Sequence, residues 1–423
     1  MSFLPSAFCF LSILIMFAFA LVGPNLIQEI SGAYIKAKPV SGGPTLNDAN
    51  LKVEVVFKNN DQIDIPTTSM SFLGPNDILI LEKNQGTVLR IIDGNLQKYP
   101  LLKVEVGDEV EWGMLGIALA KNNSKTYAFL FYTESNHGTV LGNRLYRYEL
   151  IDNKLVNPLL LLDLPAVSPH KGQENNHDGG KVAIGPDQNV YVAIGDVGGR
   201  TGQAQNNAQG SAMDGTSGIL RITQNGQPVG KGILGSTVPL NIYYAYGIRN
   251  SFGFDFDPVT GNIWDTENGS EDKDEINLVL PGFNSGWTSV MGIAPKRFDP
   301  DEALVNFGGK GKYYEPKFVW KQTIGPTALK FLNSDKLGQE YKNTIFTGDV
   351  NNGYIYNFKL DQNRTALSLD GPLADRVANT PDEEQKIVFG QGFGVITDIK
   401  VSPDGYLYIL GYDGTIYKIV QNS

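Results

Sequence analysis

The stretch VSPDGYLYILGYDGTIYKIV, residues 401–420, reads as a turn, an apolar strand, a second turn and a second apolar strand. Its turns carry the Pro, Asp and Gly residues that tight reversals need. The same phrase returns as LGPNDILILEKNQGTVLRI (73–91), as AKNNSKTYAFLFYTESN with GNRLYRYEL (120–150), and as IGPDQNVYVAIGDVG with SGILRIT (184–223). Weaker copies are FDPVTGNIWDTENG (256–269) and LNSDKLGQEYKNTIFTGDVNNGYIYNFKL (332–360). Copies spaced by roughly 45 to 75 residues suit propeller blades with insertions. The chain is therefore expected to be all-β: a six-bladed β-propeller of four-stranded antiparallel blades. A β-sandwich offers similar strands, but not this repetition.

The bulk properties agree. The chain has 423 residues, with Gly 48, Pro 22, Tyr 19 and Phe 21, a composition that favours strands and turns over helices. Only 19 % of residues are charged, which excludes a disordered chain. A net charge of −10 argues against nucleic acid and against an anionic membrane face as partner.

The N-terminus reads differently. Residues 3–22, FLPSAFCFLSILIMFAFALV, are almost wholly apolar and long enough to cross a bilayer. They lack the basic start of a standard signal peptide, while Ala18, Ala20 and Gly23 offer a cleavage site. The expected organisation is a signal peptide or membrane anchor with the start of a linker over 1–32, a polar linker over 33–50 and the propeller over 51–423. That places the body outside the cytoplasm, secreted or held at the outer face of the membrane. The single cysteine, Cys9, lies in the apolar segment, so the body has no disulfide and no thiol chemistry.

The polar residues with chemical potential cluster in YAYGIRNSFGFDFDPVTGNIWDTENGSEDKDEINL (244–278) and NNHDGGKVAIGPD (175–187). Of His137, His170 and His177, the last stands at a strand entrance beside Asp178 and two glycines. A histidine there suits a general base, because its ordinary pKa is near neutrality; the plain alternative is a turn histidine. Arg249-Asn250 could hold a carboxylate or stabilise a developing oxyanion, or simply pair with the acids at 271–275. Asn268-Gly269-Ser270 and the acids that follow could bind calcium through oxygen ligands, or form a solvated turn. The sequence contains no P-loop, HExxH, CxxC pair or GxSxG, so nucleotide, zinc and serine-hydrolase chemistry are unsupported.

From about Leu73 to Ile419 the chain resembles the glucose/sorbosone dehydrogenase family. The matching phrases are EWGMLGIAL (111–119), NNHDGGKVAIGPD (175–187), YGIRNSFGF (246–254), TENGSEDKDEINL (266–278), NSGWTSVMG (284–292) and SPDGYLYIL (402–410). The resemblance implies an exported quinoprotein sugar dehydrogenase that oxidises the C1 hydroxyl of an aldose to the lactone. It implies pyrroloquinoline quinone (PQQ) and Ca2+ as cofactors, a small-molecule sugar as substrate and an external electron acceptor. By the same resemblance His177 would take the proton and Arg249 would polarise a quinone oxygen. Glu111, Asp178, Asn250, Asn268, Asp274, Trp320 and Thr323 would contact cofactor or sugar, and the carbonyls of Gly269 and Ser270 would bind the calcium.

The chain departs from the family at its anion anchors. Asn351, Val395 and Thr397 stand where the family places a lysine and two arginines against the three PQQ carboxylates. Each lost charge-assisted bond is worth roughly 1.5–3 kcal/mol. Lys330, Lys400 and the lysines of 296–317 are the cations that could stand in. The departure keeps a second expectation open: a propeller of this family that binds a sugar or another ligand outside the cell without PQQ. A calcium-dependent hydrolase or lactonase has only the acidic loop in its favour.

Overall fold

The computed structural model describes residue 37 and residues 42–122, 124–168 and 175–422. The apolar segment 3–22, Cys9 and His170 lie outside the described residues. Among the described residues no helix is long and apolar enough to cross a membrane.

The chain folds as an all-β propeller arrangement whose strands pair into six sheets. Each sheet opens with an inner strand: Thr67–Gly74, Met114–Asn122, Val182–Ile184, Gly253–Phe256, Pro326–Phe331 and Ile396–Val401. Later strands of each sheet follow outward, because short Gly, Asp and Asn turns return the chain antiparallel to itself.

The expectation of a regular six-bladed propeller of four-stranded antiparallel blades is corrected. Two of the six sheets have four strands; the others have five or six. Three of the extra strands come from the long insertions. Phe283–Asn284 adds in parallel to Tyr243–Tyr246, and Lys312–Tyr313 adds in parallel to it. Val377–Ala378 adds in parallel to Phe318–Gln322. The sequence does not announce these pieces, since two-residue strands carry no periodicity. The ring is also uneven. Five junctions between neighbouring inner strands are directly packed. Between Val182–Ile184 and Gly253–Phe256 the junction rests on side chains instead, with Tyr191 edge-on to Phe256 at 4.9 Å.

The early residues tie the ends of the chain together. Leu51–Phe57 pairs antiparallel with Ile416–Gln421, so the last sheet takes its outer strand from near the N-terminus. Thr45–Leu46, within the stretch expected as linker, pairs with Val388–Gln391. Apolar side chains fill the spaces between sheets, as in the cluster of Trp264, Phe318, Trp320, Phe331, Tyr356 and Phe358.

Candidate functional site

The connections that enter the inner strands carry most of the polar residues singled out from the sequence. Glu111 precedes Met114–Asn122, His177 and Asp178 precede Val182–Ile184, and Arg249 and Asn250 precede Gly253–Phe256. Thr323 precedes Pro326–Phe331 in the same way. Asn268–Ser270 turns between Ile263–Glu267 and Asp272–Val279, which brings it to the same end as Asn250: the Asn268 amide donates to the Asn250 carbonyl at 2.8 Å.

His177 is aimed by its backbone. Its φ is +64°, and beyond Asp178 come +60° at Gly179 and +98° at Gly180, conformations that glycine adopts without strain. The His177 side chain is 13 % exposed, and its Nδ1 lies 2.6 Å from Oδ1 of Asp196, which is 1 % exposed. An ionised carboxylate can only accept, so Nδ1 donates to it, and in the neutral imidazole Nε2 is then the atom with the lone pair. Asp196 is held in turn: Oδ2 accepts from the Trp287 indole N–H at 2.7 Å and Oδ1 from the Gly199 amide at 3.2 Å.

Around this dyad the polar groups interlock. Glu111 Oε2 accepts from the Asp178 amide at 3.0 Å and from Asn250 Nδ2 at 3.2 Å. Asp178 Oδ1 accepts from Asn143 Nδ2 at 2.6 Å. Burial, and then the nearby Glu111 charge, push the Asp178 carboxyl up to about 8, while the Asn143 bond and Lys83 oppose the rise. Lys83 is pushed down to about 8 by burial, against the pull of Asp108, Glu111 and Asp178. Arg249 Nη1 donates to the carbonyls of Asn268 at 3.0 Å and Gly269 at 2.8 Å, and its guanidinium lies 5.5 Å from the Trp287 ring centre. The Arg249 amide donates to Glu267 Oε1 at 2.7 Å, and Ser285 Oγ to Glu267 Oε2 at 2.5 Å. Burial raises Glu267 to about 7 against those two bonds.

Four buried polar atoms at this place have no partner: Asp178 Oδ2, Asn250 Oδ1, Asn268 Oδ1 and Arg249 Nε. Buried polar atoms are normally paired. All four lie in the loops around His177.

The sequence profile of the glucose/sorbosone dehydrogenases matches residues 63–418. The chain belongs to that family. It is 26 % identical over 370 residues to the aldose sugar dehydrogenase YliI of Escherichia coli, covering 86 % of this chain and 90 % of that one. It is 29 % identical over 260 residues to quinoprotein glucose dehydrogenase B of Acinetobacter calcoaceticus, covering 55 % and 52 %. The PQQ-bound aldose sugar dehydrogenase of Streptomyces coelicolor shares the fold, with a TM-score of 0.61 at 20 % identity over 89 % of this chain and 99 % of that one. The family is one of sugar dehydrogenases, oxidoreductases that act on small-molecule sugars.

Not every residue expected from the family pattern joins the site. Trp320 is 1 % exposed inside the apolar core, edge-on to Phe318 at 4.9 Å and to Tyr356 at 5.4 Å. Asp274 commits both oxygens to backbone: Oδ1 to the Gly269 amide at 2.7 Å, Oδ2 to the amides of Ile324 and Gly325 at 2.7 and 2.8 Å. Burial still lifts it to about 6 against those three bonds. It fastens the Asn268 turn to the Thr323 loop. Thr323 is half-buried, and its carbonyl accepts from Asn351 Nδ2 at 3.1 Å. Val395 is buried, and the Thr397 hydroxyl donates to the Leu410 carbonyl at 3.3 Å. No positive charge stands at these three family anchor positions. Gly269 offers its carbonyl to Arg249, and Ser270 is exposed. Among the described residues no set of three His, Cys, Asp or Glu is arranged to hold a metal.

Sequence reasoning passed over Asp196, Trp287, Glu267, Asn143 and Lys83. Asp196 had a readable signal, a lone carboxylate closing the apolar run VYVAIG. Asn143 sits mid-strand, in a register that nothing local reveals.

Proposed function

We propose that the chain oxidises the C1 hydroxyl of an aldose to the lactone, with His177 as the general base. The His177–Asp196 pair beside the unpartnered atoms of Asp178, Asn250, Asn268 and Arg249 is the observation that carries this reading. Nε2 of His177 receives the hydroxyl proton, and Asp196 steadies the imidazolium that forms. Arg249 presents its unpartnered Nε–H to an oxygen that gains negative charge, and Asn250 Oδ1 is placed to accept from a hydroxyl. Glu111 holds Asn250 and the Asp178 backbone in place.

These residues fit the quinone end of PQQ, which when bound accepts the hydride from C1. Arg249, Asn250 and Asn268 would hold that end. The carboxylate end is met less well, since Asn351, Val395 and Thr397 are uncharged. Calcium at the carbonyls of Gly269 and Ser270 would share the Gly269 oxygen with Arg249. We take the reaction to run outside the cytoplasm, consistent with the apolar segment 3–22, and the electrons to leave for an external acceptor.

The uncharged anchors favour a second reading, in which the same face binds a sugar or other polar ligand without PQQ. Calorimetric titration of PQQ into the purified body, with calcium and then with chelator, separates the two. Calcium-dependent binding, together with dye-linked aldose oxidation that His177→Ala abolishes at nearly unchanged cofactor affinity, supports the dehydrogenase. No binding at micromolar protein and no oxidation of any aldose supports the ligand-binding reading. Equal loss of binding and turnover in His177→Ala sinks the general-base role.

A further inference from the structure

The inner strands that begin at the His177 face end at the opposite one, and three lysines lie along their way. Lys181, Lys330 and Lys400 line one cavity of about 200 Å3, together with Asp255 and Ser71. A second cavity of about 520 Å3 shares Ser71, Lys330 and Lys400 and runs out past Asn333, Ser334 and Pro403, in the loops that follow the inner strands. The two form one passage from the middle of the ring to the face away from His177.

The charges facing this passage do not balance. Lys330 pairs with Asp255 at 2.8 Å. Lys181 pairs with Asp398 at 2.5 Å. Asp398 is then used up: Oδ1 also accepts from the Ile399 amide at 3.0 Å, and Oδ2 accepts from Ser69 Oγ at 2.8 Å and the Met70 amide at 3.0 Å. Lys400 is left 3.8 Å from Asp398, an ion pair without a hydrogen bond, and its side chain is 18 % exposed in a place that lines both cavities. Three ammonium groups therefore face two carboxylates, in a chain of net charge −10. An uncompensated cation in a narrow, poorly solvated site is costly, and an anion there removes the cost.

We propose that this passage is a binding site for a small oxyanion, of phosphate or short-carboxylate size, held by Lys400, Lys330 and Lys181 and entered from the face opposite His177. Nothing in it depends on the reading of the His177 face. Burial and then the neighbouring Lys181 and Lys330 pull Lys400 down to about 7, against Asp398 and Asp255. Lys400 is thus charged below that pH and increasingly neutral above it, so anion affinity falls as pH rises from 6 to 8.

Inorganic sulfate, a dianion at both pH values, is the probe, titrated calorimetrically into the full chain at pH 6 and pH 8. The expected result is a dissociation constant below about 1 mM at pH 6 that weakens at least about threefold at pH 8. Lys400→Met leaves Asp398 fully paired, and should weaken sulfate at least about tenfold at pH 6 and flatten the pH dependence. Binding equal to wild type in Lys400→Met, or no heat from the wild type at about 10 mM sulfate and pH 6, overturns the proposal. Wild-type crystals soaked in selenate give a reading that needs no variant. An anomalous peak among the three lysines supports the site, and peaks confined to surface lysines overturn it.

Discussion

At the scale of single residues, the site rests on one carboxylate that fixes a ring. Asp196 accepts from His177 Nδ1, which leaves Nε2 as the basic atom. Asp196→Asn should invert that preference, because an amide can donate to Nδ1. We expect kcat for dye-linked sugar oxidation to fall roughly 10²- to 10⁴-fold with KM nearly unchanged. An unchanged kcat in steady-state assays would remove Asp196 from the mechanism. Asp178 gives a test by stability. Its folded-state pKa is raised to about 8, so it favours folding most below its unfolded value and loses that contribution as pH rises through about 8. Asp178→Asn carries no such charge, and its melting temperature relative to wild type should rise from pH 5 to pH 8 by at least about 2 °C. A flat difference across that range contradicts a carboxyl kept neutral by burial. His177, Arg249 and Asn250 were singled out from the sequence because unusual polar residues stood at strand entrances. Asp196 and Trp287 were not singled out, since their value lies in contacts that no local pattern encodes.

At the scale of elements, what matters is how closely the loops approach one another. Gly195 sits where the His177 and Arg249 backbones converge. A Cβ there would lie 2.4 Å from the His177 carbonyl oxygen and 2.6 Å from that of Arg249. Neither oxygen can yield without moving its own side chain. Gly195→Ala should cost about 1–3 kcal/mol of stability and lower activity by more than the lost stability explains. Chemical denaturation and assays on the folded fraction check both, and a fully active variant would show that the two loops tolerate separation. The insertions were the illegible elements. Residues 283–284, 312–313 and 377–378 become strands only because an existing sheet edge offers free amides and carbonyls. The burial of Trp320 is another feature that no short stretch announces. Its place in WKQTIGPT fits the family pattern, but alternation along Phe318–Gln322 turns its ring into the core.

At the scale of the whole molecule, the ring is closed by residues far apart in sequence. Leu51–Phe57 covers the edge of Ile416–Gln421. A chain that begins after Phe57 should lose its single cooperative thermal transition or aggregate, because the exposed edge invites pairing with other chains. A calorimetric scan that matches the longer chain would show that this closure contributes little. The sequence by itself determined the all-β character, the repeated turn–strand phrase and the family, because short-range turn chemistry and long ordered phrases survive in one dimension. It also determined which loops carry the histidine, the arginine and the asparagines. Tertiary structure decided the rest: unequal sheets, Asp196 under His177, Asp274 tied to backbone, and three lysines gathered around one passage. Those depend on which loops and strands become neighbours, from 19 positions apart for His177 and Asp196 to 217 for Lys181 and Asp398, and no local pattern encodes such pairings.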